Sequence, residues 1–383
     1  MAAHRPVRLA IGGDVSLAGR AADEIAARGG AWLLAELAPR LDRADLMTFN
    51  WESPVLPAGR EPPEKGLVVP EDRVAGVVDP LPPVAVTVAN NHVFDAGAEG
   101  VAATARTLDE LGVAHVGAGA TEAEAAALRT VTVRGVRVGF LGRAEDCPQL
   151  ADVGFPGPAM IAYPRIVEDV RDAAAQCDAL VVHLHHGVEF VDWPAPHFVA
   201  LCRELIDAGA AVVVGGHPHV PQGHESHGAG HVFYCLGNLA FEITDGGYQN
   251  AGSPWTTRSA VALVPLDAAG AGEPEFVPYH IEPAGRPAPA IGPEAREILE
   301  HLDAVSADLA DDDAIQHHWR DTARRYLGIY INWARGTLDE NDWATDDTLC
   351  FFRRLPMNES RAFVQELFAD ADWPRRLSRP PWT

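Results

Sequence analysis

The sequence predicts an α/β fold from three observations. Short apolar runs alternate with helical patterns from residue 7 to about residue 245, as in sheets that are covered by helices. The chain has 383 residues, of which 47% are hydrophobic, enough for one large domain and a smaller one. Polar side chains recur where the apolar runs end. In α/β sheets, ligands bind at the carboxyl ends of the strands.

Seven apolar runs in the first 245 residues have the length and composition of strands. They are Arg8–Gly12, Asp45–Asn50, Val84–Ala89, Val136–Leu141, Ala179–His185, Ala211–Gly215 and Val232–Leu236. Helices are predicted at 99–112, 164–176 and 195–208, and the last stops at Gly209, a common helix terminator. Two further strands, SAVALVPL and EFVPYHIEP, are predicted between residues 258 and 282.

The pattern divides the chain into two parts. Residues 1–284 are predicted to form the α/β domain, and residues 285–383 a helical, aromatic-rich region that packs on it. The segment GRPAPAIGP (285–293) has the composition of a linker. Helical patterns follow near 294–309, 313–334 and 358–370.

Charge and composition argue against several functions. The formal net charge of −24 disfavours nucleic acid or an anionic membrane as a partner, because basic residues supply most of that affinity. No run approaches the roughly 20 apolar residues of a membrane span, and the N-terminus has no secretory apolar segment, so we expect a cytoplasmic protein.

The single lysine, Lys65, lies in a proline-rich loop, which argues against pyridoxal phosphate as a cofactor, since that cofactor needs a lysine placed in the site. The sequence leaves the oligomeric state open.

Six predicted strands run into side chains that can bind a metal or move protons. In chain order these are Asp14; Asn50 and Glu52; Asn90, Asn91, His92 and Asp95; His183, His185, His186 and Glu189; His217 and His219; Asn238 and Glu242. Each has a structural alternative, since Asp14 could cap a helix and Asn90 could belong to a turn. Repetition favours a functional site, because nine of the sixteen histidines lie between residues 183 and 231. The sequence therefore predicts a metal or acid–base site.

The mixture of oxygen and imidazole groups indicates which metals the site would take. Carboxylates, carboxamides and imidazoles together suit a fairly hard divalent ion, with Ca²⁺ or Mn²⁺ favoured and Fe²⁺ also compatible. The cysteines form no paired motif, which excludes a thiolate-rich zinc site. Zinc bound by histidine and carboxylate remains open.

Six motifs follow one another along residues 7–245: GDVSLAGR, NWESPV, ANNHVFDAGAEG, HLHHGVEF, GAAVVVGGHPHVPQGHE and YCLGNLAFE. Their order and spacing resemble the CapA family of poly-γ-glutamate capsule proteins, a branch of the calcineurin-like metallophosphoesterases. The resemblance implies a calcineurin-like four-layer α-β-β-α sandwich. The C-terminal hundred residues lie outside the resemblance and are predicted to form a helical extension.

The resemblance also implies roles for single residues. Phosphoesterases of this superfamily hold two metal ions, and four positions of this chain match ligands of one of them: Glu52, Asn91, His185 and His217. Asp14 matches a ligand of the other ion, but Ser16 stands where a histidine is expected. The resemblance therefore implies one divalent ion, and it weakens the case for a two-metal phosphatase.

The other histidines and acids are predicted to transfer protons: His92, Asp95, Asp14, His219, His186 and Glu189. A carboxylate behind an imidazole fixes its tautomer and raises its basicity. His92 with Asp95 or Asp14 would make one such pair, and His219 or His186 with Glu52 or Glu189 a second. Two pairs on opposite faces of one carbon suit epimerisation, in which a cation stabilises the enolate-like charge.

The chain is similar to CapA-like proteins without a membrane anchor that epimerise the C-terminal residue of lasso-peptide precursors. The predicted function is therefore a metal-dependent peptide epimerase, with a ribosomal precursor peptide as its partner. The alternatives are a metal-dependent phosphoesterase, an amide hydrolase or ligase of poly-γ-glutamate type, and a non-catalytic capsule-assembly protein. Trp193 is the best candidate for contacting a peptide, whereas Trp319 and the tyrosines that follow it have the spacing of a packed helical face.

Overall fold

The computed structural model describes residues 5–63, 66–145, 155–242 and 253–323. Its strands, in chain order, are β1 (Val7–Val15), β2 (Leu46–Trp51), β3 (Val55–Leu56), β4 (Val69–Pro70), β5 (Val84–Thr87), β6 (Ala114–Val116), β7 (Ala118–Gly119), β8 (Arg129–Val133), β9 (Val136–Ala144), β10 (Gly157–Pro158), β11 (Ala179–His185), β12 (Val212–Gly216), β13 (Pro221–His227), β14 (Gly230–Leu236), β15 (Asn238–Ala240), β16 (Arg258–Asp267), β17 (Gly270–Ala271), β18 (Glu275–Ile281) and β19 (Pro287–Pro289). Its α-helices are α1 (Arg20–Arg28), α2 (Gly97–Glu110), α3 (Glu122–Ala126), α4 (Arg165–Ala174), α5 (Pro196–Asp207) and α6 (Gly292–Asp308). A further helical stretch covers residues 312–323.

Two mixed sheets account for most of these strands. The larger one has the order β19-β18-β16-β1-β2-β5-β6, with β15 paired to β1 and β17 to β16. Its parallel strands β1, β2, β5 and β6 run side by side, and β16 pairs antiparallel to β1. The second sheet has the order β13-β14-β12-β11-β9-β8, of which β14, β12, β11 and β9 are parallel. Both sheets therefore bring the carboxyl ends of several central strands to one edge.

The buried side chains show how the sheets and helices are layered. Leu9 and Ile11 of β1 pack with Phe140, Val181 and Phe233 of the second sheet, which forms a core between the two sheets. A second core lies on the outer face of the larger sheet, where α2 packs, and a third lies between the second sheet and helices α4 and α5. The order is helix, sheet, sheet, helix. The predicted α-β-β-α sandwich is confirmed.

The predicted elements before residue 245 form where they are expected, with shifts at their ends. Strand β9 runs three residues beyond the predicted Leu141, and α2 begins two residues before 99. Helix α5 begins at Pro196, where the missing amide hydrogen costs no intrahelical bond. Helix α1 and strands β8 and β13 are not among the predicted elements, because their short or polar sequences carry a weak periodic signal.

The segment after residue 284 differs from the prediction at its start. Residues 287–289 of the predicted linker form β19, which pairs antiparallel with β18. Helix α6 lies against β13, where Ser306 Oγ accepts a hydrogen bond from the backbone N–H of His224 at 3.0 Å. The approach is close, since a Cβ at Gly223 would lie 3.0 Å from the Cα of Ser306. The helical patterns predicted beyond residue 323 lie outside the described residues.

None of the helices in the described ranges is both long enough and apolar enough to cross a bilayer.

Candidate metal centre

Four strand ends from the two sheets meet at one polar gap. Asp14 of β1 pairs in register with Asn50 of β2, and His185 of β11 pairs with Gly216 of β12. All four residues line the same small cavity between the sheets. Strand ends that lie between 31 and 202 residues apart in the sequence, from His185 to Gly216 and from Asp14 to Gly216, are thus brought together by the sandwich.

Local backbone packing requires glycine around this gap. A Cβ at Gly13 would lie 1.8 Å from the carbonyl oxygen of Gly237, so β1 can pass that residue only without a side chain. The amide of Asp14 then donates to the same carbonyl oxygen at 2.9 Å. A Cβ at Gly216 would lie 2.7 Å from Oδ1 of Asp14. Gly13 therefore allows β1 to approach Gly237, and Gly216 leaves room for the Asp14 carboxylate.

Asn50 joins the two buried carboxylates of the centre. Its amide nitrogen donates to Oδ1 of Asp14 at 2.8 Å and to Oε1 of Glu52 at 2.9 Å. Asn90 fixes the orientation of Asn50, because Asn90 Nδ2 donates both to Oδ1 of Asn50 at 3.1 Å and to the Trp51 carbonyl at 2.8 Å. One oxygen of each carboxylate is therefore held by Asn50.

Glu52 is the most strongly perturbed acid of the centre. Its side chain is completely buried, and Oε2 has no hydrogen-bond partner among the described residues. Burial raises the pKa of Glu52 well above its ordinary value, and the charges of Asp14 and Glu189 raise it further. Burial also raises the pKa of Asp14. A buried, unpaired carboxylate oxygen beside further carboxylates is what a cation site requires.

His185 is oriented by the neighbouring motif. Nε2 of His185 lies 2.8 Å from Oδ1 of Asn91, so the ring donates there and its Nδ1 lone pair faces Asn50 and Glu52. Burial lowers the pKa of His185 well below its ordinary value, and the neighbouring imidazoles of His217 and His219 lower it further. A neutral imidazole whose other nitrogen is hydrogen-bonded is the form in which histidine binds metals.

The GGHPH turn carries two histidines in an uncommon backbone conformation. His217 and His219 have φ values of 99° and 59°, in the left-handed region that non-glycine residues seldom adopt. The backbone N–H of His217 donates to Oδ2 of Asp14 at 3.1 Å. Nδ1 of His219 lies 2.8 Å from Oδ1 of Asn238 and 3.4 Å from Oδ2 of Asp14. The turn is thus bound to the carboxylate at the end of β1.

His92 and Asp95 form a pair at the margin of the centre. Nδ1 of His92 lies 2.8 Å from Oδ2 of Asp95, and the two side chains are 25% and 20% exposed. The backbone N–H of Leu67 also donates to Oδ2 of Asp95, which holds the carboxylate in place. Nε2 of His92 lies 3.2 Å from the amide nitrogen of Asn91, whose Oδ1 contacts His185. This pair is the more accessible of the histidine–carboxylate pairs around the centre.

The ligand atoms form two groups that could hold a divalent cation. One consists of Asp14, Glu52 and His185, and the other of Glu189, His217 and His219; within each group the candidate atoms lie within 4.8 Å of one another. The unpaired Oε2 of Glu52 and the ring orientations of the histidines fit such an ion. The centre is compatible with divalent metal binding.

Comparison with known proteins identifies the family. Residues 8–243, more than half of the chain, match the family model described as "Bacterial capsule synthesis protein PGA_cap". The chain belongs to the PGA_cap family.

Two relatives of the chain carry names from capsule and PGA biosynthesis. The chain is 31% identical to "Capsule biosynthesis protein CapA" of Bacillus anthracis, over 60% of this chain and 58% of that protein. It is 32% identical to "PGA biosynthesis protein CapA" of Bacillus subtilis, over 52% of this chain and 51% of that protein. The chain therefore spans little more than half the length of the curated relatives it matches.

The solved structures resemble the chain only loosely. The 5′-nucleotidase precursor from Thermus thermophilus is 19% identical, covers 78% of this chain and 58% of its own, and has a TM-score of 0.39. A similarity at this level supports no conclusion about the fold or the reaction. The fold assignment rests on the packing of the two sheets and the helices described above.

The structure brings together most of the residues predicted from the PGA_cap motifs. Asp14, although predicted for proton transfer, groups with the predicted ligands Glu52 and His185, while the predicted ligand His217 groups with Glu189 and His219. His186 is directed elsewhere: its ring stacks on Phe198 with a centroid distance of 4.4 Å. The roles of all these residues remain predictions.

Two residues of the motifs, Ser16 and Asn50, make contacts that the sequence does not predict. Ser16, at the position where a histidine is expected, contacts Ser53 at 3.1 Å between the two hydroxyl oxygens. Asn50 was one of several polar strand ends without a predicted role, yet it contacts both buried carboxylates. The sequence signal for Asn50 is its position two residues before Glu52, since residues two apart in an extended segment point to the same side; Glu52 directly follows β2.

Trp193 and Trp319, the two tryptophans considered for peptide contact, lie with the helices that follow residue 291. Nε1 of Trp193 donates to Oδ2 of Asp308 at 3.2 Å, and its ring stacks on His318 at a centroid distance of 3.8 Å. Trp319 is buried in the core cluster that also contains residues of α4 and α5, which agrees with the packed face that its spacing predicts. Trp193 thus joins the loop after β11 to the C-terminal helices, and its predicted contact with a peptide remains untested.

Proposed function

We propose that this chain is a metal-dependent amide hydrolase that acts on γ-glutamyl amide bonds. The observation that carries the proposal is the position of the His92–Asp95 pair, which is partly exposed and lies next to a buried carboxylate and histidine centre. The names of the relatives, which refer to capsule and PGA biosynthesis, supply the substrate class.

The centre provides the groups that amide hydrolysis requires. A divalent cation held by Asp14, Glu52 and His185 would polarise a carbonyl oxygen and lower the pKa of water. Asn50 and Asn91 would orient those ligands through their hydrogen bonds. His92, whose Nδ1–H donates to Asp95, has its lone pair on Nε2. That nitrogen would take a proton from the attacking water and pass it to the leaving amine as the C–N bond breaks.

A peptide epimerase is the second candidate, because a second histidine–carboxylate pair is present. Nδ1 of His219 lies 3.4 Å from Oδ2 of Asp14. The shorter contact of this nitrogen, however, is the one to Asn238 at 2.8 Å, and the side chain of His219 is only 3% exposed. A histidine held in this way suits metal binding better than exchange of protons with a substrate carbon, so hydrolysis is preferred.

The first test compares three reactions with the metal-loaded protein. We expect Mn²⁺ or Ca²⁺ to support hydrolysis of a γ-glutamyl anilide, with little turnover of a generic phosphoester. A peptide incubated in D₂O should gain no deuterium at any Cα. Phosphoester turnover without γ-glutamyl turnover would contradict the proposal, and deuterium at a Cα would select the epimerase instead.

The second test removes the proton-transferring histidine. His92→Asn should lower kcat for the γ-glutamyl substrate by about 100-fold or more, the usual contribution of a general acid or base, while metal content stays at the wild-type level. His227→Asn is the matched control, because His227 pairs with Asp207 at 3.0 Å on the surface, away from the centre. Equal activity of the two variants would exclude His92 as the proton donor.

A further inference from the structure

The loop after β11, residues 186–195, carries Glu189 to the edge of the centre before the chain enters α5. Candidate ligand atoms of Glu189, His217 and His219 lie within 4.8 Å of one another. The charge of Glu189 also acts on Glu52, because it is one of the carboxylates that raise the pKa of Glu52. The position of this loop therefore affects the charge around a bound cation.

The first half of the loop is bound to the GGHPH turn by its backbone. The N–H of His186 donates to the Gly216 carbonyl at 3.1 Å, and that of Phe190 donates to the Pro218 carbonyl at 2.8 Å. Gly187, with a φ of 125°, allows this path. The first five residues of the loop therefore follow the turn.

The second half of the loop is held by side chains from other elements. Nε2 of Gln222, a buried residue of β13, donates to the Val191 carbonyl at 2.7 Å. Nε1 of Trp193 donates to Oδ2 of Asp308, the last residue of α6, at 3.2 Å. The loop is therefore anchored to α6 only four residues beyond Glu189.

Trp193, Asp308 and His318 form a cluster in which each side chain contacts the other two. The rings of Trp193 and His318 are nearly parallel, with an interplanar angle of 7° and centroids 3.8 Å apart. Nε2 of His318 lies 3.0 Å from the same Oδ2 of Asp308 that accepts from the indole. Ring stacking and hydrogen bonds to a carboxylate are both directional, so this Trp193 cluster fixes the indole in place.

The helices that supply Asp308 and His318 are themselves fixed in the fold. Leu309, directly after α6, is completely buried, and its carbonyl accepts from Nη2 of Arg203 on α5 at 2.9 Å. Trp319, next to His318, is 4% exposed and belongs to the same core cluster as Leu309. The loop is therefore anchored to a rigid support.

We propose that the Trp193 cluster positions the loop after β11, and with it Glu189, for the reaction of the centre. Trp193, Asp308 and His318 are then positioning residues, since they act through Glu189. The inference rests on the proposed function for the cation and for the reaction. Asp308 and His318 lie beyond residue 243, where the match to the family model ends, so the PGA_cap motifs do not predict this role.

Asp308→Ala tests this role with little effect on folding. The side chain of Asp308 is 41% exposed, and alanine is favourable in helices. The variant removes the acceptor of both hydrogen bonds of the Trp193 cluster. Asp303→Ala is the matched control, because it makes the same change at an exposed aspartate of the same helix.

The first measurement is hydrogen–deuterium exchange of the metal-free protein, read by mass spectrometry of peptides that cover residues 186–195. Amides exchange when the structure around them opens locally. Exchange in this loop should be about 10-fold faster in Asp308→Ala than in the wild type, the factor expected from loss of hydrogen bonds to a charged group. Asp303→Ala should exchange as the wild type does. Equal exchange in the two variants would overturn the proposal.

The second measurement separates positioning from a general effect on structure. Glu189→Gln and Asp308→Ala should each lower Mn²⁺ affinity, and kcat for the γ-glutamyl substrate, by about 10-fold. If Asp308 acts through Glu189, adding Asp308→Ala to Glu189→Gln should cause no further loss, because the two effects are not independent. Losses that multiply in the double variant would contradict a role through Glu189.

A second variant covers the case in which Asp308→Ala does not fold. His318→Ala removes the ring that stacks on Trp193 and leaves α6 unchanged, so it should repeat both results. Exchange and Mn²⁺ affinity need no turnover. An inactive wild type would therefore contradict the proposed function alone, whereas unchanged exchange in these variants would contradict the positioning role alone.

Discussion

Asn50 contacts both Asp14 and Glu52. Its neutral amide lies between the two carboxylates, a position that a cationic side chain often occupies. Its two donated hydrogen bonds, of 2.8 and 2.9 Å, hold one oxygen of each acid. Asn90 in turn holds the carbonyl side of the Asn50 amide. The second oxygen of Glu52 stays without a partner among the described residues, where a cation can reach it.

Replacing Asn50 by leucine, which is similar in size, should weaken metal binding. The two carboxylates would lose their shared donor and repel each other, and loss of such an outer ligand contact typically costs 10–100-fold in affinity. The measurement is Mn²⁺ affinity by calorimetry. Ser306→Ala is the control, since it removes a hydrogen bond between α6 and β13, the one from the His224 amide at 3.0 Å, which involves no residue of the centre. Equal affinities of the two variants would show that Asn50 does not organise the centre.

The element that decides the shape of the centre is β12. Its residues are buried throughout, and its last two are glycines. A Cβ at Gly215 would lie 1.9 Å from the Tyr234 carbonyl oxygen, and one at Gly216 would meet the Asp14 carboxylate. The strand therefore lies closer to β14 and to the end of β1 than a strand with side chains at these positions could.

Gly216→Ala should disturb the metal centre more than the fold. The added methyl group would lie 2.7 Å from Oδ1 of Asp14 and 3.6 Å from Nδ1 of His185, so the carboxylate must move. We expect Mn²⁺ affinity to fall about 10-fold or more, with a loss of about 1–3 kcal/mol in unfolding free energy from overpacking. Gly272→Ala, where the nearest contact is 3.3 Å to a proline side chain, is the control for an added methyl group. Unchanged affinity in Gly216→Ala would contradict the close approach.

At the scale of the whole molecule, polar contacts join the two sheets beneath the centre. Thr48 Oγ1 lies 2.7 Å from Nε2 of His183, and Asn50 Nδ2 lies 3.2 Å from Nδ1 of His185. The four residues alternate along β2 and β11, so these cross-sheet contacts occur at successive inward positions. Burial lowers the pKa of His183 to about 3, so its imidazole is neutral in the folded protein at ordinary pH.

Buried neutral histidines make the stability of the fold depend on pH. Burial lowers the pKa of His224 to about 4, from an ordinary value of 6.5. The unfolded chain therefore takes up the proton first as the pH falls. The stability associated with neutral His224 is complete above about pH 6.5 and is lost progressively down to about pH 4.

When the pH is lowered, His224→Gln should lose less stability than the wild type. Between pH 7 and pH 5, the free energy of unfolding of the metal-free wild type should fall further than that of the variant, by at most about 1.4 kcal/mol per pH unit. Urea unfolding at both pH values measures the difference. His317→Gln, at an imidazole that is 72% exposed, should behave like the wild type. A loss in His224→Gln as large as in the wild type would contradict the assignment.

The sequence by itself determined the strands, the helices between them and the polar residues at the strand ends. Alternation of apolar runs and helical patterns is a local property, so β1, β2, β11 and β12 could be predicted from neighbouring residues. The ordered motifs also indicated the layered sandwich and the family. Residues 287–289 could not be assigned in this way, because a strand of Pro-Ala-Pro composition forms only through its pairing with β18.

Only the tertiary structure decided which of the polar side chains meet. Asn50 contacts Asp14 across 36 residues of sequence, and His217 contacts Asp14 across 203. Glu189 reaches His217 and His219 because two loops share backbone hydrogen bonds, whereas His186, three residues earlier, turns to Phe198. Such contacts depend on the spacing of the two sheets and on the path of the backbone after Gly187. Neither is encoded in a local pattern, since both arise from packing between segments that are distant in the chain.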